Sequence, residues 1–192
     1  MPAAYLLVMK DEQALHVLRG ADRFNGRWVN DKYTLAGETK TVKGHTLHRI
    51  MALKDIAYAR AGQLGGWIES EKNLSVSGDA WVAEGAHVLG DALVLGDALI
   101  FGDAIVSGSA RVTGKARVGD RAWVSASAMV SDDALVTGKA RICGHAQVGG
   151  SAWVGDHAWI EGKVGVFGYA RVRGHARLVD DEWISGEMMM AG

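Results

Sequence analysis

The chain has 192 residues, 48% hydrophobic and 22% charged, with a formal net charge of −1. Those totals fit one ordinary soluble domain with a small appendage. The near-neutral charge argues against a dedicated nucleic-acid binder, and the single cysteine, Cys143, excludes a disulfide framework or a multi-cysteine zinc site within the chain.

The N-terminal "MPAAYLLVMKDEQ" lacks a basic stretch followed by a sufficient apolar run. No signal peptide is expected, and a cytoplasmic address is the default. Asp11 followed by "EQALHVLR" reads as a short capped helix. "YTLAGETKTVKGHTLHRIMAL" reads as a hairpin turning at Lys43-Gly44-His45. "GGWIESEKNLS", Gly65 to Ser75, then runs directly into a repeat.

From Ala80 an alanine returns at every sixth position, with one lapse at Val164, and a branched or long aliphatic follows two positions later. The aliphatic position recurs nineteen times from Val76 to Ile184 without insertion or deletion. The unit is Val-x-Gly-x-Ala-x. In a strand alternate side chains share a face, so alanine and valine point in and the residue between them points out. The Gly-containing remainder must turn the chain, because glycine accepts positive φ without steric cost and Asp tolerates it next best. Asp120, Asp132, Asp156 and Asp180 replace that glycine. Glu84 and Ala126 fit least, and there the turn is expected to shift by one position or carry strain. The apolar run "VLGDALVLGDALIFGDAIV" belongs to this pattern. Asp91, Asp97 and Asp103 exclude a lipid-facing helix, and no membrane association is expected.

Hexads such as "VLGDAL", "VSGSAR", "VTGKAR" and "ICGHAQ" resemble the hexapeptide-repeat left-handed parallel β-helix family. The resemblance implies an all-β, single-stranded parallel β-helix with three hexads per coil and about six triangular coils. A right-handed solenoid of the bactofilin type is the alternative, since handedness is not written in the pattern. The string from "HTLHRIMAL" through "GGWIESEKNLS" to "GDAWV" also resembles phage and prophage proteins, some called acetyltransferases on fold alone. That implies a mobile-element origin and a host-cytoplasm setting, but no chemistry. The expected organisation is a helix and hairpin cap over residues 1–75, a hexad-repeat β-helix over 76–186 and a tail at 187–192. An open solenoid end exposes core and strand edges, which a cap must cover.

Three hexads per coil would stack residue i on residue i+18. One corner column then reads Asp103, Arg121, Lys139, His157, His175. Under an enzymatic reading, His157 or His175 is the general base, as the histidine of hexapeptide-repeat acyltransferases implies, and acetyl-CoA is the cofactor. Under the simpler reading both are solvated corner residues, and no cofactor or metal is expected. The unbroken repeat leaves no loop to close over substrate, which favours a non-enzymatic protein. Outward positions are more informative. One column reads Ile105, Trp123, Arg141, Trp159, Arg177, and another contains Leu99, Arg117, Trp153 and Arg171. Trp and Arg in alternation form cation–π pairs and are also enriched at protein interfaces. Leu89, Leu93, Leu95, Leu99, Phe101 and Ile105 form an apolar collar near the N-terminal end of the repeat, the kind of patch that is usually covered. Together with Trp123, Arg141, Trp153, Trp159 and Arg177 they are the candidate protein-interface residues. The expectation is a solenoid binding or scaffold protein with a protein partner, a second copy (dimer or trimer) or a host defence or regulatory protein. The alternative is an acyl-CoA-dependent acyltransferase.

Overall fold

In the computed structural model, residues 30–192 are described, together with the short antiparallel pairing of β1 (Arg23–Phe24) with β2 (Arg27–Trp28). The helix expected after Asp11 lies outside the described residues. The fold is all-β. The hairpin β3 (Tyr33–Val42) and β4 (His45–Ala52) turns at Lys43 and Gly44, both at positive φ, and β5 (Leu64–Ile68) pairs antiparallel to it. Beyond β5 the chain winds as a solenoid of short strands paired in parallel, residue i opposite residue i+18.

Three faces result. The first carries nine strands: β3, β4 and β5, then the six solenoid strands from His87–Val88 to Arg177–Leu178. The second carries six, from Leu93–Val94 to Trp183–Ile184, and the third seven, from Trp81–Val82 to Met189–Ala191. The coils number about seven rather than the six implied by the hexad count. The difference comes from both ends, since β5 joins the parallel ladder through Trp67 opposite His87, and Met189–Ala191 pairs with Arg171–Arg173.

The inward positions explain the stability of this winding. From Ala80 to Val172 the Ala and Val/Ile positions are essentially inaccessible, so each coil stacks its small and branched side chains on the next. Burying each aliphatic contributes roughly 1.5–3 kcal/mol. Every turn of the repeat has one residue at positive φ. It is the glycine position in eighteen hexads, and in the Glu84 hexad the turn shifts by one position to Gly85. Ala126, in the other irregular hexad, holds the conformation itself, at φ 58. The Asp substitutes do more than tolerate it. Gly138, Gly150 and Gly174 donate their N–H to the Oδ2 of Asp120, Asp132 and Asp156 one coil below, at 2.8–2.9 Å.

The "GGWIESEKNLS" segment is the starter of the solenoid. A Cβ on Gly65 would stand 2.6 Å from the Trp81 ring, and one on Gly66 would collide with the Ala83 carbonyl, so both glycines permit close approach. Trp81, an outward position of the repeat, is fully buried there. Glu69 accepts from the Gly90 N–H and from His45, and these bonds hold its carboxyl below the usual range. Asn73 accepts from the Ser70 N–H and donates to the Gly90 and Ala92 carbonyls. Leu74 pairs with Val94, where the i to i+18 register would have placed Val76, so the starter is longer than a standard coil by two positions. From the cap, the buried Lys32 donates to the Ser75 carbonyl at 2.9 Å and Tyr33 to the Leu74 carbonyl at 3.0 Å.

Candidate functional site

Parallel pairing of residue i with residue i+18 turns a sequence period into a column of side chains. On the first face the register runs Arg49, Trp67, His87, Ile105, Trp123, Arg141, Trp159, Arg177, one residue per strand. The last five form the column read from the repeat. His87 continues it by one more step of eighteen, and Trp67 and Arg49 extend it into the cap. The frame break in the starter and the reversed direction of β4 hide Trp67 and Arg49 from a count in steps of three hexads.

The column is held by cation–π contacts. The Arg141 guanidinium lies 5.9 Å from the Trp123 ring centroid and 5.7 Å from that of Trp159, and Arg177 lies 5.0 Å from Trp159. From the hairpin, Lys43 Nζ sits 3.9 Å over Trp123 and Lys40 Nζ 4.1 Å over Trp67. All are within the range in which a ring quadrupole attracts a cation. The indoles are also tethered. Trp123 Nε1 donates to Ser107 Oγ at 3.0 Å, and Trp153 Nε1 on the third face donates to Thr137 Oγ1 at 3.1 Å. At the matching place beside Trp159 stands Cys143, whose thiol donates to the Ile160 carbonyl, and Trp159 Nε1 is buried without an oxygen or nitrogen acceptor among the described residues. Burial pushes the Cys143 thiol up from its ordinary value. Burial, with Lys40 adding to it, holds His87 below the ordinary histidine range. Arg141 and Arg177 are exposed, and Trp123 and Trp159 are half-buried.

The apolar collar is divided among the faces. Leu89, 5% exposed, lies at the hairpin tip, in a hollow shared with Val42, Lys43, His45, Ile105 and Trp123. Leu99, 9% exposed, stands between Trp81 and Arg117 in the third-face column. Tyr58 from the loop after β4 donates to the neighbouring Asp97 carbonyl. The Phe101 ring rests on Gly119, where any Cβ would collide with it, and Arg117 lies 5.5 Å from it. Leu93 and Leu95 are half-buried, Leu93 in a groove with Ser70, Lys72, Asn73 and Arg111 on the second face. Trp153 is on the third face, apart from Trp123 and Trp159.

His157 and His175 come together at an exposed corner, their rings stacked at 4.9 Å and 20°. Neither ring has a carboxylate partner among the described residues, and no group of three His, Cys, Asp or Glu among those residues could hold a metal ion. No helix among them is long and apolar enough to cross a membrane. No protein-family model matches the chain, and no curated protein matches it. The fold and its columns therefore define the class, a β-solenoid with an aromatic–cationic face.

Proposed function

We propose that this β-solenoid is a non-enzymatic binding protein that engages a protein partner through the first face, with Trp123, Arg141, Trp159 and Arg177 at its centre. The observation that carries the reading is the half-exposed column in which Arg141 and Arg177 sandwich Trp159. Trp and Arg dominate binding energy at protein interfaces, and a guanidinium already fixed on a ring loses less freedom on docking. Leu89 and Leu99 are buried within the chain and contribute framework rather than contact. The resemblance of the "GGWIESEKNLS" segment to phage and prophage proteins supports a host protein as that partner, with interference in a defence or regulatory process as the purpose.

The test is quantitative capture from host lysate with three baits: the wild-type chain, Trp123→Glu/Trp159→Glu, and Met129→Glu/Gln147→Glu on the second face. A protein held by the first and third baits and lost from the second supports the reading. Equal capture by all three, with unchanged melting of each bait, overturns it.

A further inference from the structure

The net charge of −1 conceals a segregation of charge along one corner of the solenoid. Where the third face turns into the first, Arg121, Lys139, His157 and His175 stack one per coil. Their N–H groups donate to the carbonyls of Gly138, Asp156, Gly174 and Gly192, each one coil above. All four side chains are exposed. On one flank stand Arg141 and Arg177, and on the other Arg117, Arg171 and Arg173, also exposed. Successive coils stand about 4.8 Å apart, so Arg121, Lys139 and the five flanking arginines form a continuous basic ridge, with the two imidazoles at its upper end.

Its acids are few: exposed Asp103 stands at its foot, one coil below Arg121, and the other two are engaged. Asp120 and Asp156 accept N–H bonds from Gly138 and Gly174. The five ion pairs among the described residues, from Lys54–Asp31 to Arg49–Glu84, all lie in the cap or join it to the first coil. No ridge cation is within ion-pair distance of a carboxylate among those residues. Such a density of unpaired charge raises a potential that selects an anionic partner.

Two anionic macromolecules fit a basic ridge, and the rings decide between them. Single strands of nucleic acid are held by free aromatic platforms on which bases stack. Here Trp159 lies between Arg141 and Arg177, and Trp123 lies beneath Lys43, so both rings already face cations. What faces outward is guanidinium, whose forked donors match carboxylates bidentately. We infer that the ridge of Arg121, Lys139, Arg141, Arg173 and Arg177 docks a carboxylate-rich segment of a protein partner. This rests on the binding-face reading and adds the chemistry of what binds.

The experiment measures fluorescence anisotropy of a labelled oligoglutamate peptide and of a labelled single-stranded oligothymidine matched in charge. Proteins are the wild type, Arg121→Glu/Lys139→Glu, and Lys115→Glu away from the ridge, each checked for unchanged melting. The wild type is expected to bind the peptide at low salt and to prefer it to the oligonucleotide. Two reversed charges should weaken peptide binding about tenfold, and Lys115→Glu should leave it within about twofold. Tighter binding of the oligonucleotide, no binding of the peptide, or equal loss in Lys115→Glu overturns the inference. If the lysate partner is still lost only from Trp123→Glu/Trp159→Glu and survives Arg121→Glu/Lys139→Glu, the face reading stands and the ridge inference alone fails.

Discussion

Ala126 is the one non-glycine, non-aspartate residue that the repeat places at positive φ, and its cost can be worked out. A residue with a Cβ loses roughly 1–2 kcal/mol in the left-handed region. Replacing it by glycine removes that strain but adds unfolded-state entropy of about 0.4–1 kcal/mol, leaving a net gain of about 0.5–1 kcal/mol. Aspartate tolerates the conformation and has a second advantage here. Asp120, Asp132 and Asp156 each accept the N–H of the residue at i+18. For Ala126 that residue is Gly144, whose N–H has no partner among the described residues. A carboxylate at 126 should satisfy it, adding about 0.5–1.5 kcal/mol. Urea denaturation should therefore rank Ala126→Asp above Ala126→Gly above wild type, with unchanged m-values. Asp132→Ala, the mirror change, should lose a similar amount. If Ala126→Asp is no more stable than Ala126→Gly, the corner bond does not form. If the wild type is the most stable of the three, residue 126 does not adopt positive φ.

Other outcomes follow from single contacts. Cys143→Thr places a hydroxyl where Ser107 and Thr137 serve the other tethered indoles, and should raise stability by about 0.5–1 kcal/mol. A loss in the same denaturation assay contradicts that geometry. Lys32 is buried, and burial brings its ammonium down to about 8 from 10.5, with Asp79 and Asp97 opposing and Lys54 assisting. The unfolded chain keeps that proton to higher pH than the folded chain, so stability should rise between pH 8 and 9.5 by about 1–2 kcal/mol. Above pH 10 Tyr33, kept neutral by burial, reverses the slope. Lys32→Met should lose the rise, and an unchanged slope refutes the assignment. Millimolar acetyl-CoA should leave the melting temperature unmoved. A rise that His157→Ala or His175→Ala removes supports the acyltransferase instead.

The repeat made the solenoid readable because each hexad carries its own inward pair and its own turn residue. The Trp/Arg column followed once coils of three hexads were assumed, and the pairing of Trp123, Arg141 and Trp159 keeps that spacing. The cap was less legible. Its hairpin could be read from alternation and Lys43-Gly44, but the placement of its tip over Trp123 depends on a contact between segments far apart in the chain. Lys32 looks like a loop lysine in "NDKY", and only the folded chain shows it reaching Ser75. Leu89 and Leu99 read as exposed because period alone marks a residue outward; it does not say what the cap lays across it. The ridge was hidden by the net charge, since a sum over the chain carries no position.

The most direct test of the binding-face account is site-specific photo-crosslinking in the producing cell. A photoreactive residue is placed at Arg141 on the first face, or at Gln147 on the second. A single discrete adduct from position 141, absent from position 147, is the expected result. Adducts of equal yield from both positions, or none from 141 while the protein is folded and abundant, would contradict the assignment of the Trp123–Arg177 column as the binding face.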